Sequence, residues 1–365
     1  MSEIDFHPTP GPVLRRAAAL RDRFREWAPT TYGSGDYPER EMQALREGGF
    51  FTVTLPGEPL AQAGKHTPAL LRLLTAVGEG NLAAGRIYEG HINALHLVML
   101  YGTEEQMRRW SADARAGHLF GVWNTEMSDG VHFDPEDNGV RVKGSKSFCS
   151  GSLRVTRPLI TGQLAGEDGG WQMAIVPLDR YQPAVDVSFW SPLGMQNTVS
   201  HKIDFTGIGL DTTDLLGRPG DYNRQPWISG GAVRFAAVQL GGLAALLHAV
   251  GEFLRQSGRT ADAHQRRRVA QMHIDLESGK LWLDRAGAEI DYGSQIVHYA
   301  NMARTSVGDY CERGIHRAQQ CVGARGLLHP NPVARLCTDL SMYLRQPAPD
   351  AALDAVGQHY LDDES

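Results

Sequence analysis

Hydrophobic positions along the first 120 residues recur at helical spacing. Val13 to Trp27 is rich in Ala, Leu and Arg, and Glu39 to Arg46 follows a turn. Pro68 to Val77 opens with a proline suited to a first helical turn. Ile92 to Tyr101 is almost continuously apolar, and Gly102 ends it. Thr103, followed by Glu104 and Glu105, reads as an N-cap with carboxylates in the first turn of the next helix. The texture changes near residue 120. Short runs at Phe120 to Asn124, Val140 to Val142, Ser145 to Phe148 and Leu159 to Thr161 are bounded by Gly, Asp or Ser. Met173 to Val176, Val185 to Phe189 and His201 to Phe205 continue the series, which predicts an antiparallel sheet. From about Ile228 the helical pattern returns in four long segments, 229–256, 263–291, 294–324 and 332–344. Gly326, Pro330 and Pro332 punctuate the last junction, and short links favour antiparallel packing. The expected fold is α+β: an N-terminal helical domain over 1–119, a central antiparallel β domain over 120–225 and a C-terminal four-helix bundle over 226–365.

The chain has 365 residues, enough to bury a large core without disulfide or metal staples. Acidic residues outnumber basic ones, 42 to 36, and no basic block occurs, which argues against nucleic-acid binding. Arg266-Arg267-Arg268 lies inside a helical pattern and reads as a solvated face. Cysteines 149, 311, 321 and 337 have no CxxC spacing and are expected as reduced, mostly buried thiols. The polar start, Met1 to Asp5, is neither a secretory nor a mitochondrial address. The apolar run Phe235 to Val250 contains Gln239 and His248 and is shorter than the ~20 residues of a membrane span, so a core helix is expected. These features predict a cytoplasmic protein without a membrane partner.

Several chemistries fail on spacing. No phosphate-binding loop of the form GxxxxGK[ST] occurs, and Gly78, Gly80 and Gly85 have neither the spacing nor the preceding strand of a dinucleotide fingerprint. His91 and His96, the closest of fourteen histidines, stand about 140° apart around a helix and cannot share a metal. Both read as satisfied or solvent-facing, and no metal site is expected. There is no GxSxG elbow.

Several strings, in order, resemble those of the acyl-CoA dehydrogenase flavoprotein family over roughly residues 40–345. Leu82 to Tyr101 followed by Gly102-Thr103-Glu104-Glu105-Gln106 is similar to the family's buried helix and its turn. Gly121 to Glu126 is similar to the Thr-Glu strand beside the flavin, and Val142 to Gly151 to the following GxKx[WF] segment. Leu193 to Phe205, Asp211 to Gly217 and Gln320-x-x-Gly323-Ala324-Arg325-Gly326 continue the resemblance. It implies FAD, a flavin site completed by a neighbouring subunit in a homodimer or homotetramer, and α,β-dehydrogenation of an acyl thioester with hydride transfer to flavin N5.

A flavin is flat and apolar on its faces and polar along its edge, so it calls for an aromatic face and small hydrogen-bonding groups. By resemblance, Asn124, Thr125, Ser128 and Ser150 serve the edge and Phe148 the face. Strand-end capping is the alternative for Thr125 and Ser150. Gln320 and Gly323 would meet the pyrophosphate or adenosine, although a helix C-cap also explains Gly323. Arg259, or else Arg255, would be the pyrophosphate's cation, but Arg259 is followed by Thr-Ala-Asp where the family has a different string.

The resemblance breaks at the catalytic base. Pro347 stands where the family's Glu follows an Arg-Asp pair, and the alternative position, Gly230 to Arg234, holds no carboxylate. The Gly-rich string after the Thr-Glu pair is shortened to Met127-Ser128-Asp129-Gly130. Glu89 is a candidate replacement base or a polar cavity floor. His91 is a candidate substrate contact, and Arg234 either holds an anionic substrate group or pairs with a carboxylate. The primary expectation is a FAD-dependent oxidoreductase acting on an atypical acyl substrate, CoA- or carrier-bound, with a separate electron acceptor. The alternative is a two-component flavin monooxygenase of the same fold, using reduced flavin and O2. A degenerate, non-enzymatic flavin-binding protein is the third reading.

Overall fold

The computed structural model describes residues 9–31, 35–166, 169–328, 330–345 and 348–363; Met1 to Asp5 and Pro347 lie outside them. The chain opens with α1 (Pro10–Thr31), α2 (Glu39–Glu47), α3 (Thr67–Gly80), α4 (Leu82–Tyr101) and α5 (Glu104–Arg115). Asn81 caps α4 through its side chain, and Thr103 with Gln106 forms a full capping box at α5.

The middle stretch contains β1 (Phe120–Trp123), β2 (His132–Glu136), β3 (Gly139–Lys143), β4 (Ser145–Cys149), β5 (Arg157–Leu164) and β6 (Gly170–Ile175). After these come β7 (Ala184–Asp186), β8 (His201–Asp204), β9 (Gly209–Asp211) and β10 (Leu215–Leu216). One sheet runs β10-β6-β5-β2-β3-β9 with β1 beside β5, and a second runs β4-β8-β7. The antiparallel expectation needs one correction, because β5 pairs in parallel with both β1 and β2. Between β1 and β5 the chain passes through three other strands, a connection long enough for β5 to return in the same direction. The sequence pattern also misses β2, whose His-Phe-Asp-Pro-Glu looks like a turn. Its pairing with β5 stops at Phe133, so Pro135 falls where no β5 partner requires its missing N–H. The expected run Val185 to Phe189 is strand only to Asp186, whose side chain then caps a short 3-10 turn.

The bundle comprises α6 (Trp227–Gln256), α7 (Ala263–Tyr292), α8 (Ile296–Gly326) and α9 (Pro332–Tyr343), close to the four expected segments. A further helix, α10 (Pro349–Asp363), which the sequence reading did not include, starts at a proline suited to a first turn. By length and composition α6 is apolar enough to cross a bilayer. However, 83% of its apolar window is buried inside the protein, which makes it a core helix. All four cysteines are free and buried.

One hydrophobic core joins helices of the N-terminal stretch, both sheets and the bundle. Within it α6 crosses α3 in close contact. A Cβ on Gly78 would lie 2.5 Å from the Val238 carbonyl oxygen, and one on Gly241 would strike the Thr75 carbonyl oxygen. Backbone therefore rests on backbone there. Gly241→Leu is expected to cost about 3 kcal/mol or more by overpacking. Gly308→Ala, in the open interior of α8 with nothing within 4 Å, is expected to stabilise by about 0.5–1 kcal/mol. Urea unfolding of the two variants checks both.

Candidate functional site

Two neighbouring constellations carry chemistry. The first is a rim on the β sheets. Between Lys146 and Cys149 the register of β4 against β8 shifts, and this bulge turns Phe148 outward with φ of +56° and 41% of its surface exposed. Phe189 and Trp190 support its ring edge-on, with centroids 5.2 and 6.0 Å away. The Lys146 side chain is fully buried. Its Nζ donates to the Asn124 carbonyl oxygen (3.0 Å) and to Glu126 Oε2 (2.6 Å), clamping the 124–126 turn against β4. The Ser147 amide donates to the Thr125 carbonyl oxygen. Thr125 and Ser128 stay exposed at this rim. Asn124 does not present its acceptor outward, because Oδ1 accepts from Thr161 Oγ1 (2.7 Å) and Trp171 Nε1 (3.2 Å). Its Oδ1 thus holds the turn, which leaves Nδ2 as the side-chain group for the edge role expected of it.

Ser150 heads a chain of hydroxyls. Thr198 Oγ1 donates to the Met195 carbonyl oxygen (2.8 Å) and so accepts from Ser200 Oγ (2.7 Å). With its proton used, Ser200 accepts from Ser150 Oγ (2.9 Å), which leaves Ser150 its lone pairs and no free proton. The loop carrying this chain is held under strain. Met195 and Val199 have φ of +58° and +41°, each costing roughly 1–3 kcal/mol, and the Met195 amide is anchored to Asp339 Oδ1 at 2.6 Å. An exposed aromatic face beside backbone turns, hydroxyls and a preset acceptor is a donor set that fits a flavin edge and face.

The second constellation lies in the seam between α4 and α6. Arg86, Glu89, Asn93 and His96 stand at i, i+3, i+7 and i+10 and form a polar stripe along an otherwise apolar helix. Arg86 Nη1 donates to Glu89 Oε2 at 2.7 Å, and Asn93 Nδ2 donates to Glu89 Oε1. Asn93 Oδ1 in turn accepts from Nε of Arg234 on α6. Glu89 is 2% exposed, so burial raises its carboxyl pKa against the pull of Arg86 and Arg234. Burial also lowers the Arg234 guanidinium to about 10, while the Glu89 charge opposes that shift. Asp291, at the end of α7, has both oxygens engaged by the amide and hydroxyl of Thr67 (2.9 and 2.5 Å).

His91 is corrected from a substrate contact to part of the wall. It is 0% exposed, its Nδ1 accepts from the Phe120 amide (3.1 Å), and its Nε2–H donates to the Phe51 carbonyl oxygen (2.8 Å), so no ring nitrogen is left for a ligand. Arg259 turns inward, with Nη1 donating to the Cys321 carbonyl oxygen (3.1 Å). Gln320 is exposed beside His316, and Gly323, with φ of +61°, kinks α8 three residues before its end. No group of three or more His, Cys, Asp or Glu able to hold a metal occurs among the described residues.

Sequence reasoning missed Arg86, Asn93, His96 and the Ser200–Thr198 pair. The 3–4–3 spacing on α4 was the available signal for the first three. The hydroxyl chain had none, because it depends on a sheet register.

Burial pushes His91 down to about 4. Below pH 6.5 the unfolded chain takes up a proton that the folded chain refuses, so this stability is present above about pH 6.5 and is lost as pH falls toward 4. His91→Leu should cost about 1–3 kcal/mol at pH 7 by orphaning two buried backbone groups. It should also flatten the acid slope in urea titrations between pH 6.5 and 4.

Residues 228–344 match the family model described as acyl-CoA dehydrogenase, C-terminal domain. A dibenzothiophene monooxygenase of Rhodococcus qingshengii is 22% identical over 56% of this chain and 51% of its own length, so the match spans about half of that relative. A protein named probable FMNH2-dependent monooxygenase SfnC, from Pseudomonas putida, is 22% identical over 77% of this chain and 74% of its own. The crystal structure of TdsC from Paenibacillus sp. A11-2 with FMN and indole superposes with a TM-score of 0.81 at 19% identity, covering 96% and 97% of the two chains. Butyryl-CoA dehydrogenase from Megasphaera elsdenii gives 0.83 at 16% identity, covering 98% and 100%.

Proposed function

Taking the chain as a member of the acyl-CoA dehydrogenase-fold family, we propose that it is a flavin-dependent monooxygenase that binds reduced flavin and uses O2. The observation that carries this reading is the state of the carboxylates. Dehydrogenation of a thioester needs a carboxylate free to accept the α-proton. At the α4–α6 seam Glu89 is ion-paired with Arg86 and accepts from Asn93, and each Asp291 oxygen accepts from Thr67. Both are held in place by these bonds. This displaces the expectation of a dehydrogenase with Glu89 as its base.

The rim supports the same reading. Ser150 presents an acceptor, which suits a flavin whose N5 carries hydrogen, the reduced form. Phe148 offers a face, and Thr125 and Ser128 offer hydroxyls at the edge. Reduced flavin, when bound, supplies the two electrons and two protons that let one oxygen atom enter the substrate and the other leave as water. Reduced FMN is the form we favour over FAD. SfnC is named for FMNH2 and TdsC is described with FMN. Within this chain the Lys146 clamp holds the rim in shape, and the strained 195–199 loop fixes the direction of the hydroxyl chain.

The test is oxygen uptake by the purified protein supplied with FMN, NADH and a flavin reductase, set beside anaerobic mixing of the flavin-loaded protein with a panel of acyl-CoAs. Protein-dependent change in oxygen consumption, with no thioester bleaching the flavin, is the expected pair of results. Bleaching by a thioester would restore the dehydrogenase. Ser150→Ala is expected to weaken reduced FMN by about three- to tenfold while leaving oxidised FMN little changed, measured by anaerobic fluorescence titration.

A further inference from the structure

A cavity of about 230 Å3 opens beside the α4–α6 seam, walled by α4, α6, the end of α7 and the segment before α3. Three features of its lining point to one class of ligand. The first is charge. Arg86 and Arg234 face a single carboxylate, Glu89, so the seam holds one positive charge more than it can neutralise. Arg234 is 4% exposed and bonds through Nε to Asn93, while its two terminal nitrogens have no hydrogen-bond partner among the described residues. An unpaired buried cation is costly unless something anionic meets it. Asp291 does not fill that role: its oxygens are held by Thr67, and Lys65 sits near it on the same rim.

The second feature is Thr54. The residue lines the same cavity, and its hydroxyl is buried without a hydrogen-bond partner, the residue being 9% exposed. A buried hydroxyl left unpaired marks a place where a polar atom of a ligand belongs. The third is shape. Trp227 and His96 meet edge to face at 6.4 Å, and Ile92, Met99 and Ile290 complete an apolar slot around them. Burial and the Arg234 charge hold the His96 ring neutral, so it acts as an aromatic wall. The volume falls below the roughly 300–1,000 Å3 of drug-sized sites, which suits a one- or two-ring molecule and not a CoA thioester.

We propose that this cavity binds a compact aromatic acid, its oxyanion on the free end of Arg234, a second polar atom on Thr54 and its ring between Trp227 and Met99. That such a ligand is the substrate to be oxygenated rests on the function proposed above; the binding itself does not need flavin.

The test uses the flavin-free protein and isothermal titration with salicylate, with octanoate as an acid lacking a ring. Salicylate is expected to bind one to one and at least about tenfold more tightly than octanoate. Met99→Trp, which fills the slot, should abolish binding. Thr54→Val should weaken it about three- to tenfold and Arg234→Met at least about tenfold. Circular dichroism checks folding, and if Arg234→Met does not fold, the other two variants decide. No salicylate binding, equal binding of octanoate, or a folded Met99→Trp that binds normally would each overturn the proposal. Normal salicylate binding that never alters flavin-dependent oxygen uptake would leave the site standing and remove only its role as the substrate pocket.

Discussion

The close crossing of α6 over α3 and α4 fixes where everything else lies. Gly78 and Gly241 let α3 and α6 meet backbone to backbone, and Gly85 seats α4 against Gly78 and the Val238 side chain. Seven residues before Gly241, on the same face of α6, stands Arg234, and the crossing delivers it to Asn93 on α4. On an adjacent face of α4, Gly90 packs against β1 and Ile87 against Gly151 at the end of β4. One helix thus ties the charged seam to the rim that carries Phe148 and Ser150, and neither can move far without the other.

At the seam the electrostatics decide between chemistries. A buried carboxylate is a good base only if its oxygens are free and its proton affinity is raised. Burial raises the proton affinity of Glu89, while the Arg86 charge opposes that rise and Arg86 and Asn93 each donate to one of its oxygens. It acts as a counter-ion that steadies two arginines, one of which it does not fully neutralise. The rim is arranged by similar logic. A direction imposed on three hydroxyls by one backbone carbonyl makes Ser150 an acceptor, and the positive-φ residues Met195 and Val199 keep that direction from relaxing.

Much of the architecture was legible in the sequence. A long apolar helix such as α6 announces itself because burial on most sides leaves few polar interruptions, and Thr103 and Gln106 mark the α5 start by capping chemistry alone. Strand β2 was not legible, because its polar residues and Pro135 are tolerated only where the neighbouring pairing stops. The site was legible in part. Phe148 and Ser150 stood out by resemblance and lie at the rim, whereas Asn124 turns inward for want of any local signal of its Trp171 and Thr161 partners. Reading Glu89 with His91, two residues apart, obscured the stripe that places Glu89 with Arg86, Asn93 and His96. His91 looked chemical because histidine is versatile; its two backbone partners, 40 and 29 residues away, make it structural.

The most direct test of the account is proton exchange at the carbon alpha to a thioester. The flavin-loaded protein would be held anaerobically with butyryl-CoA in D2O and followed by proton NMR. With its seam carboxylates locked, the protein should leave the α-protons exchanging no faster than in protein-free solution. Catalysed loss of the α-proton signal that disappears in Glu89→Gln would show a working base and contradict the account.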